Sequence, residues 1–321
     1  MNRRHALLAS SLLLAQPGFT QTPDWPNKPV KLVVPFPPGG PADVVARVLG
    51  EVLAKRTGQA FIVENRPGAV TTIGSEYVMR TPPDGYTMLV NASGAYSLNP
   101  YVMTMRYDPL KDVPPLTMLA GVQQVLVVSS SRNLRNIADL MAFGKANPKQ
   151  MNFGTVGTGT INHLLGEILL RNAKLTAVQA PYPGAPAAIT AIIGGEILAA
   201  VVDVPPAIPQ IQSGKLTGLA VFSPQRSPFL PNVPTTTEQG FASATTEGSY
   251  GLFTPAKMNS ALAIKIRTEV TAAMEDGTLR ERFKTLGLVP RTTTAEQFQA
   301  LIEADSGKFG PVAKELGIRT N

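Results

Sequence analysis

The chain has 321 residues, 44% of them hydrophobic and 16% charged, with a formal net charge of +7. That balance suits a globular protein with a sizeable core and room for two domains, and the absence of any basic run or basic helix face argues against nucleic acid as a partner. There is no cysteine, which excludes disulfides, thiol catalysis and a lipid anchor attached through cysteine.

Residues 1–22 read as an export signal: Arg3 and Arg4, then the short apolar run Ala6–Ala15, then a polar exit with Pro17 and Gly18. The apolar run falls short of the roughly 20 residues a membrane-spanning helix needs. The arginine pair fits the twin-arginine route as well as the general secretory one, and no small-x-small motif fixes the cut. Removal of this segment leaves 27 basic against 22 acidic residues, a net charge of +5. The expected product is free in the periplasm, with a mild positive field suited to small anions.

The body of the chain alternates short apolar runs with amphipathic segments. Val30–Phe36 reads as a buried strand and Ala42–Thr57 as a helix whose Val45, Val48, Leu49 and Val52 share a face, ended by Gly58. Between them lies PFPPGGP, a loop stiffened by proline. Phe61–Glu64 is a strand, Glu64–Ala69 a turn, Thr72–Arg80 a helix and Tyr86–Val90 a strand. Met118–Ser129 is an apolar stretch long enough to cross from one domain to another. The order then repeats: helix Asn136–Ala146, strand Met151–Thr155, a glycine- and threonine-rich loop (GTVGTGTINH, Gly154–His163), and the helix LLGEILLRN. Ala177–Pro181 and Ile197–Val202 are strands, Pro186–Ile193 and Pro205–Ser213 helices, Leu216–Phe222 a strand that can cross back, and Ser260–Glu315 mostly helical. Alternation of this kind predicts α/β architecture: two lobes, each with a mostly parallel sheet flanked by helices, joined by two crossover strands. The lobes are expected at 23–124 plus 223–321 and at 125–222.

Both unusual loops fall between the carboxyl end of a strand and the amino end of a helix, where open α/β sheets bind ligands. Free N–H groups and the positive end of each helix favour an anion there. The donors of the first loop are the amides of Phe36, Gly39, Gly40, Ala42 and Asp43. The second offers the hydroxyls of Thr155, Thr158 and Thr160, the amides of Gly157 and Gly159, and Asn162 and His163. His163 has two readings, a histidine bonded to the backbone at a helix start or a ligand contact. Asp203 likewise either caps the helix that follows it or recognises a donor group on the ligand. With one histidine after residue 22, no Gly-x-Ser-x-Gly turn, no Walker lysine and no completed dinucleotide fingerprint, no catalytic group, metal site or cofactor is expected.

The stretches WPNKPVKLVVPFPPGGPADVVAR, ENRPGA, PPDGYTMLV, YDPLKDVPPLTMLA, NFGTVGTGTINHLLGE, YPGAPAAITAIIGGEI, LAVFSPQRSPFLPNVPTTTEQG and GLFTPA together resemble the substrate-binding proteins of tripartite tricarboxylate transporters, often called Bug proteins. The resemblance covers essentially the whole chain after the export signal. It implies a type II periplasmic binding fold that closes on a small carboxylate held by the two amide-rich loops, acts as a monomer, and delivers its cargo to a membrane permease. By the same resemblance Ser93 and Tyr96 line the cleft and Asp203 faces the ligand, meeting an ammonium group in members that take amino acids. Pro41 and Ala42 stand where the family often has Thr or Ser, Val70, Thr71 and Thr72 replace a glycine-rich version, and Val204 stands in place of a frequent Asn; these departures bear on which acid is bound. A sensory receptor presenting its ligand to a membrane kinase would use the same cleft, and a periplasmic enzyme is the third reading.

Overall fold

The computed structural model describes residues 24–320, so the expected export signal lies outside the described residues. Its elements run β1 (Val30–Val34), α1 (Pro41–Thr57), β2 (Phe61–Asn65), α2 (Thr72–Met79), β3 (Thr87–Ala92), and the short helices α3 (Gly94–Ser97), α4 (Asn99–Val102) and α5 (Pro109–Asp112). They continue through β4 (Pro115–Val122), β5 (Gln124–Ser129), α6 (Ile137–Ala146), β6 (Asn152–Thr155), α7 (Ile161–Asn172), β7 (Val178–Pro181), α8 (Ala185–Gly194), β8 (Ala199–Asp203), α9 (Val204–Gln212) and β9 (Leu216–Val221). The chain ends with β10 (Gly248–Phe253), α10 (Ser260–Met274), α11 (Gly277–Thr285), β11 (Val289–Pro290) and α12 (Ala295–Glu315).

Two sheets result, with strand orders β11-β4-β10-β3-β1-β2 and β7-β6-β8-β5-β9. In the first, β1 runs parallel to β2 and β3, and β10 lies antiparallel between β3 and β4. In the second, β6 is parallel to β7 and β8, and β5 lies antiparallel between β8 and β9. Each sheet is therefore parallel except for the strand that arrives from the other sheet and, in the first, the two-residue edge strand β11. The apolar stretch 118–129 is two strands in two sheets, parted at Gln123. The return differs from expectation: Leu216–Val221 stays in the second sheet, and residues 222–247 carry the chain back to β10. The two crossings meet where the Gln123 side chain donates to the Ser223 hydroxyl at 2.9 Å.

Cores form on both faces of each sheet. Leu32, Leu49, Met88 and Phe283 pack under α1, α10 and α11, with Val33, Leu89, Phe253 and Phe298 on the opposite face. Phe153, Leu165, Leu169 and Phe222 fill one side of the second sheet, and Val125, Ile192 and Val202 the other. Helix α12 joins the two bodies. Its Phe298 and Ile302 lie in the core of the first sheet, and its Phe309 and Ala313 in a core of the second. Strand β10 carries no aliphatic alternation because the ring of Phe298 occupies the space beside Gly251, where an added Cβ would come within 2.0 Å of Cε1.

Candidate binding cleft

The two glycine loops have nearly the same backbone. Gly39 has φ of 83° and Gly159 φ of 80°, values that L side chains adopt only under strain. Each is followed by an extended N-cap, Gly40 at φ −76°, ψ 168° and Thr160 at φ −77°, ψ 163°, and then by a helix. Each loop also closes on itself in the same way. The Gly39 N–H donates to Asp43 Oδ2 at 2.9 Å, and the Gly159 N–H donates to His163 Nδ1 at 3.2 Å, both onto the fourth residue ahead. The segments Gly39–Asp43 and Gly159–His163 are thus counterparts in the two lobes.

That geometry assigns Asp43 and His163 positioning roles. Asp43 also accepts from Arg47 at 2.9 Å and from the Asn65 amide at 2.9 Å. Burial opposes its charge, but the hydrogen bonds from Arg47, Gly39 and Asn65 outweigh burial and hold the carboxyl below its usual range. The Thr160 hydroxyl is engaged internally, accepting from the His163 N–H at 3.3 Å and donating to the Gly157 carbonyl at 2.8 Å. What remains are main-chain donors: the N–H groups of Gly40, Ala42 and Asp43 in one loop, and of Ile161 and Asn162 in the other, have no acceptor among the described residues. These are the orphan donors of a helix start.

Both helix starts open onto one cavity of about 790 Å³ between the sheets. Its lining includes Phe36, Gly39, Gly40, Ala42, Ser93, Gly159, Thr160 and Asp203 of the predicted residues. Asp43, Tyr96, Gly157, Thr158 and His163 are not part of that wall. Tyr96 is in the core, its ring stacked on Phe253 with centroids 4.0 Å apart. Its neighbour Ser93 does reach the cleft.

Asp203 is held from three sides. Its Oδ1 accepts from the Gln124 and Asn162 side-chain amides, both at 3.1 Å, and its Oδ2 accepts from the Tyr250 hydroxyl at 3.0 Å. It makes no side-chain capping bond to α9, so the capping reading fails and the carboxylate is an element of the cleft wall. Because Tyr250 belongs to β10, this contact ties the two sheets together. Burial, reinforced by Asp203, pushes the Tyr250 hydroxyl far above its usual pKa.

Of the charged side chains lining the cleft among the described residues, both are acidic: Asp203 and Asp305. Burial pushes Asp305 up to about 6, with Lys308 pulling it back and Glu247 adding to the rise. Prolines from three segments and the side chains of Val44, Val156 and Ile208 make much of the remaining surface apolar. Four lining residues, Thr71, Ser97, Gln124 and Thr246, each keep a buried polar atom without a protein partner, an uncommon state for buried groups. Asn162 was expected only as part of its loop. Gln124 had a signal, a polar residue interrupting an apolar run, whereas Ser249 and Tyr250 had none because their strand had none.

The sequence profile of the family described as "Tripartite tricarboxylate transporter family receptor" matches residues 45–318. Among solved structures, the periplasmic binding protein BugD is 28% identical, with a TM-score of 0.84, over 92% of this chain and 100% of that one. Rpa4515 of R. palustris, solved with adipate, is 29% identical, with a TM-score of 0.86, over 92% of this chain and 99% of its own. MatC from Rhodopseudomonas palustris, solved with bound malate, is 25% identical, with a TM-score of 0.81, over 90% and 99%.

Proposed function

The chain belongs to the receptor family of the tripartite tricarboxylate transporters, and from that membership we propose that it captures a small organic carboxylate between its lobes and hands it to the membrane subunits of such a transporter. It is a solute receptor rather than an enzyme. One observation carries the reading: two equivalent helix starts, each with unpaired N–H groups, open onto a cavity whose described wall contains no lysine, arginine or histidine. A carboxylate seated there meets the positive ends of α1 and α7 together. Each charge-assisted hydrogen bond contributes about 1.5–3 kcal/mol, so three or four support micromolar binding after the costs of association.

The proposed contacts are the main-chain groups of Gly40 and Ala42 and of Ile161 and Asn162, with Ser93 at the side. Asp203 meets a hydrogen-bond donor at the other end of the ligand. The lobes, 23–124 plus 223–321 and 125–222, close about the crossings at Gln123 and Ser223. Residues 1–22 export the chain to the periplasm, where it acts as a monomer. The adipate- and malate-bound relatives support the carboxylate class.

The test is a melting-temperature screen on protein unfolded and refolded to strip carried ligand. Adipate, malate, aromatic acids and amino acids form the panel. A rise with at least one carboxylate, and none with the matching amides, is expected. No shift across the panel would remove the basis of the reading.

A further inference from the structure

A second cavity, of about 630 Å³, lies on the outer face of the first lobe between α2 and residues 103–107. Three arginines, Arg66, Arg80 and Arg106, line it against one acid, Glu76. Arg80 pairs with Glu76 at 2.9 Å, and Arg66 lies 3.7 Å from the centre of the Tyr77 ring and pairs with Glu64. Arg106 is exposed and forms no ion pair among the described residues. Tyr77, Tyr107, Met103 and Met105 provide its apolar surface, and Ile73 beside them is 51% exposed. Glu64 and Glu76 offset Arg66 and Arg80, so among the described residues the unpaired charge of the groove is that of Arg106, set in a recess with aromatic and thioether walls, a shape that accepts a protruding chain segment better than a flat membrane surface.

This groove shares its back wall with the ligand cleft. Val70 and Thr71 face the cleft, whereas Ala69 and Thr72 face the groove. Asn99 lines the cleft and Met103, just past the helix that Asn99 begins, lines the groove. The Asn99 side-chain amide donates to the Val70 carbonyl at 2.8 Å and joins the two segments. Ala69, Val70 and Thr71 are all held at positive φ, 43°, 48° and 75°. Three such non-glycine residues in succession, one of them valine, mark a segment kept in place by its surroundings. The Thr71 hydroxyl is buried on the cleft side with no partner.

We propose that the arginine groove formed by Arg66, Arg80 and Arg106 is the docking surface for an acidic, loop-borne segment of the membrane partner, placed where one thin wall separates the docked segment from the cargo. The proposal rests on the delivery reading above. Charge complementarity selects the occupant and sets its rate of encounter. Direct contact through a wall shared with the cleft gives that partner access to the occupancy of the cleft.

The experiment uses the full chain, a fluorescein-labelled hexaglutamate peptide and a hexaglutamine control, read by anisotropy at about 10 mM and about 150 mM salt, where the screening length falls from about 30 Å to about 8 Å. Hexaglutamate is expected to bind the unmodified protein, more weakly at the higher salt, and hexaglutamine not at all. Arg80→Glu/Arg106→Glu should lower hexaglutamate affinity roughly tenfold or more, and the control pair Arg132→Glu/Arg135→Glu, on the other lobe, should leave it unchanged. Both variants should keep the carboxylate melting shift of the unmodified protein. Absence of peptide binding, equal loss in the control pair, or binding to anionic phosphatidylglycerol vesicles but not to peptide each overturns the proposal. Loss of the carboxylate shift in the unmodified protein sinks the delivery reading instead, so the two failures are distinct.

Discussion

Replacing Asp305 with asparagine removes a charge from a partly buried position on α12 at the cleft wall. In the folded chain burial lifts this carboxyl from its ordinary 3.8 to about 6. The folded state therefore holds the proton more tightly than the unfolded state does. Its effect on stability is most favourable below about pH 4, declines as pH rises from about 4 to about 6, and stays unfavourable above that. At about 1.4 kcal/mol per pKa unit, the gap corresponds to a cost on the order of 2–3 kcal/mol at neutral pH. Asparagine has nearly the same volume and no charge to bury, so Asp305→Asn should exceed the unmodified protein in stability by on the order of 2–3 kcal/mol at pH 8 and match it at pH 4. Urea unfolding at the two pH values, with equal slopes, measures the difference. A variant that is less stable at pH 8, or that differs by the same amount at both pH values, would refute the reasoning.

The paired glycines give a graded result: Gly39→Ala, with no atom within 4 Å of the new Cβ, should cost about 1–2 kcal/mol from strain alone. Gly159→Ala should cost more, roughly 2–4 kcal/mol in all, because its Cβ would lie 2.7 Å from Thr320 Cγ2 and 3.0 Å from Val102 Cγ2. Equal losses in chemical denaturation would contradict the difference in surroundings. Tyr250→Phe deletes the 3.0 Å bond to Asp203 that joins the sheets; a loss of about 1.5–3 kcal/mol is expected, and an unchanged unfolding midpoint would show that the contact contributes nothing.

Much of the fold was legible because its periodicity is strong. The valines and leucines of α1 and the apolar runs of β1, β6 and β8 place helices against sheets without ambiguity, and the glycines of the two loops mark the strand-to-helix junctions. Strand β10 was not legible. Its sequence, GSYGLF, lacks β-branched residues because Gly251 yields its space to Phe298, a constraint that arises from a helix almost fifty residues further on. The site divides in the same way. Backbone donors follow from local sequence, so the loops were found. The fate of side chains depends on tertiary partners: the Asp43 and His163 side chains turn back onto the glycine N–H groups, and Tyr96 stacks on Phe253. Gln124 meets Asp203 as its antiparallel partner across β5 and β8 of the second sheet, and Tyr250 reaches it only once the two sheets are brought together.

The most direct measurement is a crystal structure of the protein carrying whichever carboxylate gives the largest melting shift. A guest oxygen about 2.7–3.0 Å from main-chain nitrogens of both helix starts, Gly40 or Ala42 on one side and Ile161 or Asn162 on the other, is the predicted outcome. A guest whose acid group instead rests on an arginine or lysine, with both sets of nitrogens left facing solvent, would contradict it.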